Sequence, residues 1–276
     1  MIIVGSHASV GVGGFLTGGG QSLLSSRKGL AADNVLAFSI VLPSGEIVTA
    51  NACQNADIFW AVRGGGGSTF GVVLNFTVKA FASEKVASLE FGFRSPTGNE
   101  DAFWEGMRYM ATQFPRLGDA EVTTFASLTP GNTTTSWAFG GAFHAANKSI
   151  AELTGIMQPL ADHLNSKYGP DIQAQITDVK QHASYYEWFI AQQEENNVPA
   201  GIDFALASRI LDEKALNHPN FTSLMKKAAG SGGVGLNGVA GPGTHGFPRD
   251  FNAATPVWRT GYVHASMFIV SPFWKE

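Results

Sequence analysis

Residues 9–20 read Ser9-Val10-Gly11-Val12-Gly13-Gly14-Phe15-Leu16-Thr17-Gly18-Gly19-Gly20, and a second run reads Gly64-Gly65-Gly66-Gly67, followed by Gly71. Glycine opens backbone conformations closed to other residues. Consecutive N–H groups in such runs form concavities that hold phosphate or pyrophosphate. For a single run the simpler reading is a tight turn where two backbones meet, and both readings stay open at this point. Two nucleotide motifs fail. Gly11 and Gly13 begin a G-x-G-x-x-G whose last position is Leu16, and Gly67 is not followed by Gly-Lys-Ser/Thr.

Working outward, a hairpin lies between the glycine runs. Phe38 to Leu42 is a strand pattern, Pro43-Ser44-Gly45 a turn, and Ile47-Val48-Thr49 the return strand. A short helix is expected over Ala56 to Val62, closed by Arg63 and Gly64. Val72 to Phe81 alternates, which predicts Leu74, Phe76 and Val78 on one face.

The pattern changes after Phe81-Ala82-Ser83. Phe103, Met107, Met110 and Phe114 fall on one helical face, as do Ile150, Leu153, Met157, Leu160 and Leu164. Pro115 and Gly169-Pro170 read as the stops. Strands are expected at Val86–Phe93, Val122–Leu128, Thr134–Phe143, Ile172–Val179, Ile202–Ile210 and Tyr262–Val270. Strands alternating with helices give an α+β class, an antiparallel sheet with helices on one face. The expected division is 1–82 and 83–276.

Composition narrows the function classes. Net charge is −4, and the pairs Arg27-Lys28 and Lys226-Lys227 stand alone, so nucleic-acid binding is disfavoured. No apolar run is long enough to span a bilayer, and Met1-Ile2-Ile3-Val4 is too short for a signal-peptide core. A single cysteine, Cys53, excludes an internal disulfide and a cysteine-rich metal site. The seven histidines are scattered and make no H-E-x-x-H, so no metal is expected. No G-x-S-x-G elbow supports a hydrolase. Of four glycosylation-type sequons, Asn132 after Pro130-Gly131 is the best acceptor.

Four blocks stand in order: Ser9 to Gly20, Ser26-Arg27-Lys28-Gly29-Leu30-Ala31-Ala32-Asp33-Asn34-Val35, Val41 to Val48, and Asp57-Ile58-Phe59-Trp60-Ala61-Val62-Arg63-Gly64 onward to Val73. Together they resemble the second flavin-binding subdomain of berberine-bridge-enzyme-like oxidases, within the vanillyl-alcohol-oxidase (PCMH-type FAD-binding) superfamily. The Ser68-Thr69 spacer before Phe70 looks like the fungal branch. The resemblance implies FAD as cofactor and a small-molecule substrate. It implies that Gly11, Gly13 and Gly14 line the diphosphate and ribityl region, with Val12, Gly18 and Gly19 in the same cofactor-binding run. It places Asn34 and Val35 at the adenine side through backbone groups. Residues 83–276 would then be the substrate domain, and Thr255-Pro256-Val257-Trp258-Arg259 resembles a late Asn-Pro-Ala-Trp-Arg signature of the family.

The sequence departs from the pattern in three places. The lobe that carries the flavin-linked histidine is not in this chain, and neither is the aromatic-rich segment that returns to the ring. His7 stands where the family has its cysteinyl flavin anchor, so no thioether is expected, and His7 reads as an exposed polar residue. In the family a side-chain base takes a proton while hydride moves to the flavin, and oxygen reoxidises it. The candidates are Tyr262 and His264, with His144 and His245 behind them. Each has a structural alternative, since a lone strand histidine is more often hydrogen-bonded scaffold. Tyr185, Tyr186 and Trp188 read as helix packing. Other readings of the chain remain: a flavin-free remnant acting as a binding or cyclase-like module, or an inactive fragment.

Overall fold

The computed structural model describes residues 1–67, 69–131, 137–195, 205–230 and 232–269. The first part holds α1 (Val12–Thr17), the single turn α2 (Ser25–Lys28), a 3-10 turn (Ala31–Asn34), β1 (Val35–Val41), β2 (Ile47–Asn51), α3 (Ala56–Val62) and β3 (Val72–Val78). These strands form a three-stranded antiparallel sheet, order β2-β1-β3. The hairpin and α3 lie where the sequence put them. The face of β3 does not. Ser39 pairs with Asn75 and Ile40 with Val73, which leaves Leu74 as an extra residue. That bulge turns Leu74 outward, 52% exposed. The core takes Val73, Phe76 and Val78 instead.

The second part holds β4 (Val86–Arg94), α4 (Glu100–Asp119), β5 (Val122–Pro130), β6 (Trp137–Ala146), α5 (Ile150–Tyr168), β7 (Gln173–His182), α6 (Tyr185–Glu195) and β8 (Ala205–Asp212). It continues with α7 (Glu213–Leu216), α8 (Phe221–Ala229), β9 (Val234–Gly238), α9 (Pro242–His245) and, after a 3-10 turn at Pro256–Arg259, β10 (Gly261–Ile269). The strands form one antiparallel sheet, order β7-β4-β6-β5-β9-β10-β8. Residues 134–136, 202–204 and 270 of the expected strands, and Asn132, lie outside the described residues.

Alternation along the strands sorts the two faces. Ala87, Leu89, Phe91 and Phe93 of β4 pack with Phe139 and Phe143 of β6 against Phe103, Met107, Met110 and Phe114 of α4 and Leu153, Met157, Leu160 and Leu164 of α5. Each fully buried large side chain here contributes about 1.5–3 kcal/mol. The helices start at caps written in the sequence. The Asn99 side chain accepts from Ala102 N–H, and Ser149 with Glu152 makes a capping box. Pro115 does not stop α4, which runs one turn further to Asp119. A proline inside a helix costs about 3 kcal/mol, and burial of Phe114, Pro115 and Leu117 on the sheet offsets it.

A second core joins the two parts. Leu16, Phe38, Ile40, Phe59 and Val62 pack with Val86, Ala146, Tyr185 and Trp188. As a result α6 covers one corner of the large sheet on the face opposite α4 and α5, and the rest of that face mixes polar residues such as Ser88, Glu90, Asn237 and His264 with apolar ones such as Phe125 and Ile210.

Candidate active site

The polar face can be read row by row from the strand register. Glu90 pairs with Ala142, Ala142 with Phe125, Phe125 with Asn237, and Asn237 with His264. Four strand spacings put Glu90 and His264 roughly 19 Å apart. They therefore border two separate cavities.

The first is a chamber of about 460 Å³ lined by Glu90 and Ser88 of β4, His144 of β6, Phe125 of β5, Asp178, Lys180 and His182 of β7, and Ser6 and His7 of the leading segment. Ser88 Oγ and His182 Nε2 are 3.1 Å apart. Lys180 and Asp178 form an ion pair at 2.9 Å. His144 is buried, and its Nδ1 accepts the Trp188 indole N–H at 3.2 Å. Burial lowers the His144 pKa to about 3, helped by the nearby His182. His7 is half-buried and lies 2.8 Å from the Ser9 hydroxyl through Nδ1. The expectation that His7 is merely an exposed polar residue is corrected: it forms part of the chamber wall.

The second cavity, about 490 Å³, lies at the β8–β10 edge among Ser208, Arg209, Ile210, Thr255, Val257, Trp258 and His264. His264 is half-buried 6.1 Å from the Trp258 ring, and its Nδ1 is buried without a hydrogen-bond partner. Desolvation lowers its pKa.

Tyr262 does not share that face. Gly261 pairs with Asp212 and Val263 with Leu211, so Tyr262 is the extra residue of a bulge. Its ring packs over Gly118 on the helix side, and its hydroxyl donates to Asp119 Oδ1 at 3.1 Å. Desolvation, then Asp119 and Glu213, raise its pKa to about 12. Paired Tyr262 and His264 are thus separated, and a phenol held protonated is no proton acceptor near neutrality. His245 bonds the Gly261 carbonyl through Nε2 at 2.8 Å, a structural role.

The first glycine run is not a loop throughout. Gly11 is the N-cap of α1, and Val12, Gly13 and Gly14 form its first turn, with no side-chain cap. Six residues are too few for a strong dipole. What the run offers is approach: a Cβ at Gly11, Gly13, Gly14 or Gly19 would meet nothing within 4 Å. Gly18 closes the helix, its N–H bonding the Gly14 carbonyl at 3.0 Å. The second glycine run is a packing device. Gly64 has φ +98°, and a Cβ there would lie 2.5 Å from Ala254 N, while Gly66 N–H bonds the Thr17 carbonyl.

One buried cluster ties the two parts together. Arg259 meets Asp33 with two hydrogen bonds, 2.8 and 2.7 Å, and Asn252 donates to the same carboxylate at 2.7 Å. Leu30 N–H adds a fourth, 2.9 Å. Arg63 is buried between the rings of Phe59 and Phe251, and its pKa is lowered by desolvation, against which Asp33 acts.

No family model matches the chain. It is 32% identical over 270 residues, 96% of its own length, to the FAD-linked oxidoreductase ZEB1 of Gibberella zeae, of which it covers 46%. Over nearly its whole length the chain is thus homologous to part of the fungal FAD-linked oxidoreductases. Its fold matches the VAO-type flavoprotein MtVAO615 of Myceliophthora thermophila, with TM-score 0.84, 24% identity, all of this chain and 50% of that one. It also matches berberine bridge enzyme of Eschscholzia californica, with TM-score 0.69, 21% identity, 97% of this chain and 52% of that one. The chain thus spans about half the length of the relatives it matches.

FAD is the cofactor by which this family is named. Open space at Gly11, Gly13, Gly14 and Gly19 fits the close approach of a diphosphate-bearing ligand. Val35 borders a further cavity of about 330 Å³ with Leu36, Ala56 and Trp60. Asn34 is engaged elsewhere. Its side chain donates to the Lys28 and Leu30 carbonyls, and its own carbonyl accepts from Lys79 N–H. Among the described residues no His/Cys/Asp/Glu group could hold a metal, and no helix is long and apolar enough to cross a membrane. Glu90, Lys180 and Asp178 escaped the sequence reading. Their signal was the outward register of β4 and β7, legible only once the partners were known.

Proposed function

We propose that this chain supplies one wall of the FAD site and the substrate chamber of an FAD-dependent oxidoreductase that oxidises an alcohol group of a small organic molecule, a sugar or a secondary metabolite. One observation carries the reading. His7 of the chamber wall and Gly11 at the start of α1 are joined by a single turn, in which Val10 N–H bonds the His7 carbonyl at 3.2 Å. Gly11, Val12, Gly13 and Gly14, with Gly18 and Gly19 in the same run, would hold the diphosphate of FAD one turn away from the chamber wall. Val35 and the cavity beside it suit the adenine end.

When bound, FAD supplies the two-electron acceptor, and oxygen reoxidises it. The chain's residues do the rest. Glu90 is the proton acceptor assigned to the chamber, as a carboxylate of its lining on the central side of the sheet. Phe125 provides an apolar wall, and the buried His144 stays neutral. A second reading places the proton acceptor at His264, favoured by its unpartnered Nδ1 and its lowered pKa. Glu90→Gln and His264→Gln, assayed for substrate-dependent flavin bleaching, separate the two, since only the true acceptor's variant loses the rate by orders of magnitude.

The deciding test is a visible absorbance spectrum of the purified chain before and after adding FAD. A bound flavin spectrum that bleaches on reduction is the expected result. A colourless protein that leaves added FAD unperturbed overturns the reading.

A further inference from the structure

Arg63 follows α3 and is only 5% exposed. Phe59 and Phe251 sandwich its guanidinium, 4.0 and 4.6 Å from the ring centroids. Nε donates to the Phe59 carbonyl at 3.2 Å and Nη2 to the Phe251 carbonyl at 2.8 Å. Nη1 has no hydrogen-bond partner among the described residues and is not sealed from solvent. Arg63 and both rings border the cavity of about 330 Å³ beside Val35, so that cavity is the space onto which Nη1 opens.

The charges there do not balance. A guanidinium stays protonated in a protein. The one carboxylate acting on it, Asp33, is already filled: Oδ1 takes Arg259 Nη2 and Asn252 Nδ2, and Oδ2 takes Arg259 Nη1 and Leu30 N–H. One buried anion thus serves two buried cations. Lys79, just past β3, borders the same cavity, and its ammonium has no ion pair or hydrogen bond among the described residues. A buried cation without a counter-ion of its own is costly, and a second cation at the rim adds to the field. Leu36 and Trp60 form the apolar part of the wall, 46% and 45% exposed, so open apolar surface lies next to the unmet charge.

We infer that this cavity binds a small organic anion, an aromatic carboxylate whose charge meets Arg63 Nη1–H and the Lys79 ammonium and whose ring lies against Trp60 and Leu36. The inference does not rest on the flavin reading. Adenine is uncharged and would leave both cations unmet, so an adenine end in this cavity competes with the anion and does not replace it.

The test is ¹H–¹⁵N spectroscopy of the purified chain, titrated separately with benzoate, benzamide and inorganic phosphate. Trp60→Phe assigns the Trp60 indole resonance. Benzoate should shift that resonance, and benzamide and phosphate should bind at least about tenfold more weakly. Lys79→Gln, at an exposed position, should weaken benzoate about threefold. Arg63→Lys keeps the charge, loses the planar fork and should weaken it further. Because Arg63 also packs between two rings, the ligand series and Lys79→Gln carry the test if that variant does not fold. Benzamide as tight as benzoate overturns the inference, since charge is then not read. So does phosphate as tight as benzoate, benzoate binding that leaves Trp60 unmoved or survives Lys79→Gln unchanged, or no benzoate binding at all. FAD that displaces benzoate puts its adenine end in this cavity, and FAD that binds beside benzoate puts that end elsewhere. Benzoate binding in a chain that never takes FAD defeats the flavin reading and leaves the anion site standing.

Discussion

Replacing Asp33 with alanine should unfold this chain far more readily than its position in a one-turn helix suggests. The carboxylate is the only anion bonded to Arg259 among the described residues, at 2.7 Å, and the two side chains are 0% and 2% exposed. It also receives Asn252 Nδ2 and Leu30 N–H, and it acts against the desolvation of the buried Arg63 guanidinium. Removing it strands a buried cation and orphans two donors. Losing one partner of a buried pair costs about 3–5 kcal/mol. Arg259→Leu should cost less, because Asp33 keeps its two other donors and Arg63 remains close. The double variant Asp33→Leu/Arg259→Leu should recover at least half of the Asp33→Ala loss, since no buried charge is left unpaired. Urea unfolding measures this, with the midpoint falling at constant m. A loss below about 1 kcal/mol for Asp33→Ala, or a double-variant loss equal to the sum of the singles, refutes the reasoning.

Other consequences are local. Gly64→Ala forces a Cβ at φ +98° to 2.5 Å from Ala254 N. It should cost more than about 2 kcal/mol by the same urea assay. Gly13→Ala meets nothing within 4 Å, so thermal stability should stay within about 1 kcal/mol while FAD affinity, read by flavin fluorescence, falls at least tenfold. His144 has a folded pKa of about 3 against an ordinary 6.5. The unfolded chain therefore binds its proton first, and stability is full above about pH 6.5 and is lost as pH falls toward 3. The slope from this group approaches roughly 1 kcal/mol per pH unit. His144→Phe should flatten that acid limb, and an unchanged limb in pH-dependent urea unfolding counts against a buried neutral histidine.

Helices α4 and α5 were legible because a long amphipathic stripe and a written cap point the same way: Phe103 to Phe114 with Asn99 ahead, Leu153 to Leu164 with Ser149 and Glu152 ahead. The β1–β2 hairpin was legible from Pro43-Ser44-Gly45. Strand β9 was not: five residues, Val234-Gly235-Leu236-Asn237-Gly238, carry two glycines and little β-propensity, and only pairing with β5 and β10 makes them a strand. The chamber was hidden for a related reason. Glu90, His144 and Lys180 are far apart in sequence, and strand order alone makes them neighbours. The glycine runs were visible at once, but their two jobs were not, since Gly13 has free space where Gly64 touches Ala254.

Both misread faces have one physical cause. Leu74 was expected on one face with Phe76 and Val78, and Tyr262 and His264 were paired as candidates two apart on one strand, where period-2 alternation would give them one face. Each is the extra residue of a bulge, where two residues oppose one and the phase reverses. For Tyr262 a signal did exist. A Cβ on Gly261 would lie 2.3 Å from Ile210 Cγ2 and 3.0 Å from the Val257 carbonyl, so glycine is required where β10 leaves the 3-10 turn. A lone glycine at a strand start marks a bulge or a close approach. The reversal there has a functional consequence. It hands Tyr262 to Asp119 at the end of α4 and leaves His264 alone on the open face, so any chemistry at that edge falls to an imidazole rather than a phenol.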